Sequence, residues 1–343
     1  MRIADVALVI STNDVAAVLA AARQYAVDGI VTTSDYPVRT VALVCKELGL
    51  CGLPERAATI CTDKYLQREL FRAGVLLCPD YALVESPGRL PEATQRLPFP
   101  VIVKPVDSSA SRGVSRVDNP QGLGDAYTLA RSYSRNGNVL MEEFISGPEY
   151  SIEILVQNSV VHIVAITEKT TGGDDNCFFV ETRHVIPADI TLEATKSIYN
   201  TVHEAVLLAG LNNCASHTEI KLSPIGPVII EMAARLGGDY IASDLVPLAT
   251  GVSMLEGVIR IALGQEINAE PRYSRAAGVQ FVTTETHTRA MMYFERIRND
   301  RRVHRIELQP KPNGAMLRSS MDRLGYCIAS AESRQELLPL LEI

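Results

Sequence analysis

Two glutamates, Glu219 and Glu231, lie in the segment HTEIKLSPIGPVIIEMAARLGGD, residues 217–239, at positions that would set their carboxylates side by side. The Pro-Ile-Gly sequence in the middle of this segment suits a three-residue hairpin loop, because Pro fixes φ at the first turn position and Gly accepts a left-handed φ. Ser223 would then pair with Pro227, and Glu219 would pair with Glu231 with their β-carbons about 5 Å apart. Carboxylates at this spacing repel each other unless a cation lies between them, and they suit one or two Mg²⁺ ions.

Arg235 has the same strand parity as Glu231, so its guanidinium could point into the same site if the strand continues. The alternative is a surface hairpin whose glutamates are simply solvated, because acidic residues are common on exposed strands.

A second group of residues suits the binding of a phosphate chain. The segment VIVKPVDSSASRGV, residues 101–114, is an apolar strand that delivers Lys104 and continues into a loop of small residues. Small residues let backbone N–H groups approach an anion closely. The loop does not have the Walker A ending, and the alternative is an ordinary turn with a solvated lysine. The candidate phosphate-binding residues of the loop are Ser108, Ser109, Ser111 and Gly113.

The segment VLMEEFISGPEYS, residues 139–151, is a third candidate. Its strand ends at Glu142 and Glu143, passes Phe144 and Ile145, and resumes at Glu149 after a turn. Such an edge can offer backbone groups to a purine and a carboxylate to ribose hydroxyls. Solvated surface glutamates are the alternative interpretation.

The elements that must position these residues alternate between strand and helix at first. We expect strands at Val6–Ile10 and Gly29–Thr33 and helices at Asp14–Tyr25 and Val38–Leu48, which together predict a small parallel α/β layer. A helix capped by Thr62 carries Lys64 on its surface, where solvation is again the alternative role. The later strands are short and are separated by turn formers, which is typical of mixed antiparallel sheets.

Composition restricts the classes of partner. The chain has 343 residues, of which 47% are hydrophobic and 21% charged, so it is long enough for two or three packed units. A net charge of -7 argues against nucleic acid and membrane surfaces as partners. The seven cysteines form no C-x-x-C pair, which suits reduced thiols and a cytoplasmic location. We found neither a signal sequence nor an apolar run of about 20 residues.

Taken in order, the four motifs resemble those of the ATP-grasp superfamily, from about residue 5 to the end of the chain. They are the helix lysine, the strand lysine with its small-residue loop, the E-E-F-I-x-G-x-E hinge and the E...E-x-x-x-R hairpin. The phrases IIEMAARLGGDYI, LATGVSMLEGVIRIALGQ and RLGYCIASAES are similar to the carboxylate-amine ligase branch that includes L-amino-acid ligases. Biotin carboxylase and carbamoyl phosphate synthetase would be more distant relatives.

The resemblance implies a fold with a small N-terminal α/β domain, a lid subdomain and a C-terminal antiparallel-sheet subdomain. The expected boundaries are residues 1–60 for the N-terminal domain, 61–265 for the nucleotide-binding region and 266–343 for the C-terminal subdomain. The lid would lie within the second region, at about 97–141.

The resemblance also implies the contacts of the nucleotide, which would be ATP. Lys64 and Lys104 would contact its phosphates, and the loop from Ser108 to Gly113 would close over them. Adenine would be held by Glu142 together with the backbone of Glu143–Ile145, and ribose by Glu149.

On the substrate side, Glu219 and Glu231 would bind Mg²⁺, which Mn²⁺ could replace. A substrate carboxylate would attack the γ-phosphate to give an acyl phosphate, which an amine would then capture. Arg235, with Lys104, is the candidate catalytic residue, because a planar guanidinium fits a carboxylate or an acyl phosphate. Weaker candidates for contacts to the small-molecule substrates are Arg183, His184 and Arg318.

Two departures from the family pattern affect these expectations. Ala233 stands where many relatives have an Asn metal ligand, so a second Mg²⁺ would be held weakly or through water. The first domain also starts late, and a shortened sheet would expose an edge that the second subunit of a homodimer could cover. Two alternatives to the carboxylate-amine ligase stay open: an enzyme that uses bicarbonate as the carboxylate, and a nucleotide-binding module without turnover.

Overall fold

A computed structural model describes residues 4–172, 179–312, 317 and 319–343 of the chain. Within these ranges the strands form two antiparallel sheets, one of four strands and one of eight. The α-helices are α1 (Val15–Gln24), α2 (Val38–Leu48), α3 (Glu55–Cys61), α4 (Lys64–Ala73), α5 (Leu90–Arg96), α6 (Leu123–Tyr133), α7 (Leu192–Ala209), α8 (Val246–Thr250), α9 (Met254–Ala262), α10 (His287–Ile297) and α11 (Arg334–Leu337).

The small sheet contains the first four strands, and the large sheet contains the remaining eight. The strands are β1 (Tyr81–Val84), β2 (Val101–Pro105), β3 (Ser115–Val117), β4 (Val139–Glu143), β5 (Glu149–Gln157), β6 (Val160–Gly172), β7 (Val180–Ile186), β8 (Cys214–Ser223), β9 (Gly226–Ala233), β10 (Ala276–Val282), β11 (Val303–Leu308) and β12 (Gly325–Ala331).

The first part of the chain forms helices but no strand among its described residues. Helices α1 and α2 confirm two predicted helices. The strands predicted at Val6–Ile10 and Gly29–Thr33 are wrong, because neither segment is paired in the described sheets and no parallel layer forms there. A strand requires hydrogen bonds from a neighbouring strand, and apolar residues alone do not supply that neighbour. Residues 6–10 instead leave apolar side chains exposed, Val9 completely.

The small sheet has the strand order β1-β4-β2-β3. Side chains on a strand alternate between its two faces, so Val101 and Val103 pack in a core with residues of α5 and α6. The intervening residues, Ile102 and Lys104, line a cavity on the other face, as Glu142 of β4 does. One face of the small sheet therefore packs in a hydrophobic core, and the other face lines the cavity.

The large sheet has the order β11-β12-β10-β7-β6-β5-β8-β9. Ile220 of β8 packs in a core with Ile198 and Val202 of α7. Because β8 also alternates, its odd-numbered residues His217, Glu219 and Lys221 line the cavity instead. This alternation sets three ionisable side chains in a row on one strand.

The β8–β9 hairpin confirms the pairing of Glu219 with Glu231 but reaches it by another register. Ser223 pairs with Gly226 and not with Pro227, so the loop has two residues where three were predicted. The difference of one residue is made up by a β-bulge at Ile230, between the pairs Ile220–Ile229 and Glu219–Glu231. A bulge adds a residue to one strand and thereby restores the predicted face for Glu231.

Among the described residues, no single helix has the length and apolar character needed to cross a membrane. The bent pair formed by Ile241–Thr250 and Met254–Ala262 meets that test only when the two parts are taken together.

Candidate active site

A cavity of about 370 Å³ lies between the inner face of the small sheet and the large sheet. It brings together most of the side chains that the sequence analysis singled out. Those that line it are Lys64, Lys104, Ser108, Ser109, Ser111, Glu142, Glu143, Phe144, Ile145, Glu149, His184, Glu219, Glu231 and Arg235.

Of the predicted residues that the structure describes, two do not line the cavity. Arg183 directly precedes His184 on β7, and consecutive strand residues point to opposite faces. The other is Gly113, whose place in the loop has a structural reason. The predicted Arg318 lies outside the described residues.

The small-residue loop has the left-handed backbone that such residues tolerate, with φ of 57° at Ala110, 54° at Ser111 and 74° at Gly113. A β-carbon added to Gly113 would lie 2.9 Å from the Tyr133 ring of α6. Gly113 therefore lets the loop pack against a helix, while the preceding serines face the cavity. The role of Gly113 in closing the loop over a phosphate stays a prediction.

Helix α4 delivers the first lysine. The helix begins at Lys64 after Asp63, whose carboxylate accepts hydrogen bonds from the backbone of the first turn, so Asp63 and not Thr62 is the cap. The Lys64 ammonium is almost completely buried and donates to the Ser108 carbonyl at 2.7 Å and to the Glu231 carboxylate at 2.9 Å. Lys64 thus connects the small-residue loop to the β8–β9 hairpin that carries Glu219 and Glu231.

The second lysine belongs to a buried group of three charges, Arg68, Lys104 and Glu142, which we call the charge trio. The Glu142 carboxylate receives Arg68 Nε at 2.7 Å and Lys104 Nζ at 2.6 Å. Burial alone would raise the pKa of Glu142, but the two cations hold it below its ordinary value. Burial lowers the pKa of Lys104, and Glu142 opposes that shift. Glu142 therefore positions Lys104, a role the sequence analysis did not foresee.

Apolar and aromatic side chains form one end of the cavity. The rings of Phe144 and Phe179 are stacked with centroids 6.4 Å apart. The Lys221 ammonium lies 5.0 Å from the Phe144 ring centre and donates to the Ile145 carbonyl at 3.1 Å. Lys221 was not among the residues predicted from the sequence, although it shares the strand parity of Glu219. A flat apolar slot with adjacent backbone groups suits a purine.

A buried lysine that the sequence analysis also missed lies in the middle of the cavity. Lys169 Nζ lies 3.0 Å from Glu149, 3.0 Å from Glu181 and 2.6 Å from Glu219. Burial alone would lower its pKa, but the three carboxylates raise that pKa well above the ordinary value. In the sequence, Lys169 is one of several polar residues along its strand, between Thr167 and Thr171, and no motif distinguishes it from them.

The described residues fit a divalent cation at the hairpin. One oxygen of Glu219 is bound by Lys169 and one oxygen of Glu231 by Lys64. Among the hydrogen bonds between described residues, none reaches the second oxygen of either carboxylate, so each retains a donor atom for Mg²⁺. Oxygens of Glu149, Glu181 and Glu219 also lie within 4.8 Å of one another. Ala233, opposite His217 in the hairpin, offers no ligand atom.

His217 is the third group that the sequence analysis missed. Its Nδ1 lies 2.6 Å from the fully buried Glu153 carboxylate, and its Nε2 lies 3.4 Å from Glu219. Burial alone would lower the pKa of His217, but Glu153 and Glu219 raise it to about 9. His217 is therefore an imidazolium at neutral pH and helps to keep Glu219 ionised.

Two guanidinium–carboxylate pairs lie at the other end of the cavity. Arg235 binds Asp35 with Nε at 2.8 Å and Nη2 at 3.2 Å. Arg323 binds Asp239 with Nη2 at 2.6 Å and Nη1 at 2.9 Å. Arg235, Asp35 and Asp239 line the cavity. This end of the cavity therefore has both signs of charge.

Comparisons with known proteins agree with this geometry. A family model described as an ATP-grasp domain matches residues 97–244. The chain is 26% identical over 323 residues to the uncharacterised protein y4rH of Sinorhizobium fredii, an alignment covering 91% of this chain and 66% of that protein. It is 29% identical over 241 residues to alanine–anticapsin ligase of Bacillus subtilis, covering 63% of this chain and 50% of that protein. The chain thus spans about half to two thirds of the length of these curated relatives.

Among solved structures, the L-amino acid ligase from Bacillus licheniformis superimposes with a TM-score of 0.78 at 25% identity. That superposition covers 95% of this chain and 81% of the other. These similarities confirm the ATP-grasp fold and the resemblance to the carboxylate-amine ligase branch that were predicted from the sequence.

Proposed function

We propose, from the premise that this chain carries an ATP-grasp domain, that it is an ATP-dependent ligase. It activates a carboxylate, expected to be that of an amino acid, as an acyl phosphate and joins it to an amine with release of ADP and phosphate. The observation that carries the proposal is one cavity that combines an aromatic slot, two buried lysines under a small-residue loop, and a glutamate pair. Relatives named as alanine–anticapsin ligase and L-amino acid ligase support the same reaction class.

In the proposed reaction, adenine lies between Phe144, Phe179 and the backbone near Ile145, and the phosphates extend toward Lys64 and Lys104. The serine loop supplies backbone N–H groups to the phosphates. Bound Mg²⁺, held by Glu219 and Glu231, would supply neutralisation of the phosphate charge. Catalysis then consists mainly of positioning and of charge stabilisation, and no side chain acts as a nucleophile.

Arg235 receives the substrate carboxylate or the acyl phosphate that forms from it. Its Nε and Nη2 bind Asp35 in the described structure, and a ligand anion would take over some of these donors. The planar guanidinium fits either anion in a two-point contact. The carboxylate oxygen attacks the γ-phosphorus and ADP leaves, after which the amine nitrogen attacks the acyl carbon and phosphate leaves.

The finer statements are parts of the same proposal. Mg²⁺, replaceable by Mn²⁺, is proposed on the oxygen-only donor set. A cytoplasmic location is proposed because the six described cysteines are unpaired thiols. A homodimer is proposed because residues 6–10 expose apolar side chains. A single-subunit mass in sedimentation analysis would overturn the dimer.

The decisive experiment incubates the protein with Mg-ATP and the standard L-amino acids, measures ADP, and searches for condensed products by mass spectrometry. We expect ADP release together with a new amide. ADP release without any amide would refute the ligase proposal, and ADP release stimulated by bicarbonate alone would indicate a carboxylating enzyme.

A matched pair of variants tests the metal assignment. Glu231→Gln removes a ligand but keeps the side-chain shape, so turnover should fall by more than about 100-fold, beyond the loss typical of outer-sphere partners. Glu204→Gln, an exposed change on α7, should leave turnover unchanged. If Glu231→Gln keeps near-normal rates, the assignment of Glu231 is wrong.

A further inference from the structure

The residue Asp239 adopts an unusual backbone conformation at the polar end of the cavity. Its φ is 51° and that of the following Tyr240 is 66°, a left-handed region that costs free energy for residues other than glycine. The Tyr240 ring is held 4.4 Å from the ring of Tyr326 and 6.3 Å from that of Phe281. This packing fixes a strained turn and directs the Asp239 carboxylate toward the cavity, where its side chain is 30% exposed.

Arg323 fixes that carboxylate and has little left to offer a ligand. Two of its nitrogens bind Asp239, and Nε donates to the Ser320 carbonyl at 2.7 Å. Its guanidinium also lies 3.7 Å from the centre of the Phe281 ring. Arg323 does not line the cavity, whereas Asp239 does. The group that faces a ligand is therefore the carboxylate, and Arg323 is its positioning residue.

His184 supplies a second, independent observation at the same place. It is 1% exposed, lines the cavity, and has no hydrogen bond to either ring nitrogen from the part of the chain that the structure describes. Its Nε2 lies 3.8 Å from the nearer Asp239 oxygen, which is too far for a direct hydrogen bond. A buried polar group without a partner is costly, so this imidazole is expected to find its partner in a ligand.

The Asp239 carboxylate and the His184 imidazole together determine which kind of ligand group can bind here. A carboxylate accepts hydrogen bonds and carries negative charge, and the cavity wall here also contains Glu181. An anion would find no hydrogen-bond donor on these two carboxylates, whereas an ammonium has several N–H donors that can reach an Asp239 oxygen and a ring nitrogen of His184 together. Arg235, four residues before Asp239, offers the opposite charge to the same cavity.

We propose that Asp239 and His184 receive the amino group of the amino acid whose carboxylate is activated, while Arg235 faces that carboxylate. This inference rests on the proposed ligase function and names its substrate class as a zwitterion. A plain carboxylic acid would leave the His184 ring nitrogens without a hydrogen-bond partner and would give Asp239 no partner beyond Arg323. The site therefore selects amino acids over the corresponding acids that lack the amino group.

The test measures binding to the full chain by calorimetry in the presence of Mg²⁺ and AMP-PNP, a non-hydrolysable ATP analogue. The standard L-amino acids are screened, and the tightest binder is compared with its des-amino acid. Asp239→Asn should weaken the amino acid by at least about tenfold, the loss expected for one charge-assisted hydrogen bond. The same variant should leave the weaker affinity for the des-amino acid unchanged.

Two further variants complete the experiment. His184→Asn should also reduce the preference for the amino acid, and it leaves the Arg323–Asp239 pair in place. The matched control is Asp244→Asn, since Asp244 bonds Ser243 and Arg305 and does not line the cavity. This control should behave as the wild type does.

AMP-PNP affinity separates a binding effect from misfolding. If Asp239→Asn no longer binds AMP-PNP, His184→Asn decides the question. Unchanged amino-acid affinity in the folded variants, or an equal loss for the amino acid and its des-amino form, overturns the inference. A wild-type protein that binds no amino acid and forms no amide indicates instead that the proposed ligase function has failed.

Discussion

The charge trio allows stability and nucleotide binding to be separated by two substitutions. Arg68 and Glu142 have 0% and 3% side-chain exposure, and Lys104 has 6%. Glu142→Gln leaves two buried cations without their anion, and breaking a buried ion pair in this way costs about 3–5 kcal/mol. In a chain of 343 residues, with an unfolding entropy of about 2.1 cal/mol/K per residue, that loss lowers the melting temperature by roughly 4–7 °C.

Lys104→Met should cost much less stability than Glu142→Gln, because it leaves Glu142 and Arg68 as a neutral pair and removes a desolvated ammonium. Its free energy of unfolding should change by no more than about 1 kcal/mol. Its affinity for AMP-PNP should nevertheless fall at least about tenfold, since the proposed contact of Lys104 with a phosphate is lost. Adding Lys104→Met to Glu142→Gln should recover part of the lost stability, because only one unbalanced cation then remains.

Urea unfolding followed by circular dichroism measures the stabilities, and calorimetry measures the AMP-PNP affinity. The charge-balance reasoning would be refuted if Lys104→Met destabilised the protein as much as Glu142→Gln does. It would equally be refuted if the double variant were less stable than Glu142→Gln alone.

Two further predictions concern buried charges of the large sheet. The folded pKa of His217 is raised from 6.5 to about 9, so its stabilising contribution is complete below pH 6.5 and is lost as pH rises toward 9. Between pH 6.5 and 8 the free energy of unfolding should fall by roughly 1.5–2 kcal/mol relative to the double variant His217→Gln/Glu153→Gln, measured by urea titration, and parallel pH profiles would contradict the assignment. Lys169→Met removes the cation among three carboxylates whose oxygens lie within 4.8 Å, so the variant should be less stable without divalent ions and should recover more than the wild type when Ca²⁺ is added. Melting curves with and without Ca²⁺ check this, and an equal response of both proteins would contradict it.

The site could be predicted where short-range pattern determines geometry. The pairing of Glu219 with Glu231 follows from the alternation of side chains along a hairpin. The predicted loop was one residue too long, but the bulge at Ile230 compensates for that difference, so the predicted pairing is correct. Lys104 and the serine loop were found from a strand followed by small residues. The role of each residue in binding remains a prediction, as does the division of the chain near residues 60 and 265.

The site could not be predicted where partners are distant in sequence. Lys169 and Glu149 face each other only because β6 pairs with β5, and Glu181 joins them from β7. Arg323 reaches Asp239 from a position 84 residues away in sequence. Such contacts depend on strand order, which local periodicity does not encode. The two strands predicted in the first 60 residues are wrong for a related reason, because apolar character alone does not provide a neighbouring strand.

In the proposed active site, Lys64 of helix α4 would couple the binding of the nucleotide to the binding of the metal ion. Its Lys64 ammonium holds a Glu231 oxygen and the Ser108 carbonyl together. A phosphate that attracts Lys64 would weaken its hold on Glu231 and leave that carboxylate more available to a divalent ion. By reciprocity, an ion that engages Glu231 first would release Lys64 toward the phosphate. The nucleotide and the metal should therefore each increase the affinity of the other, even before they touch.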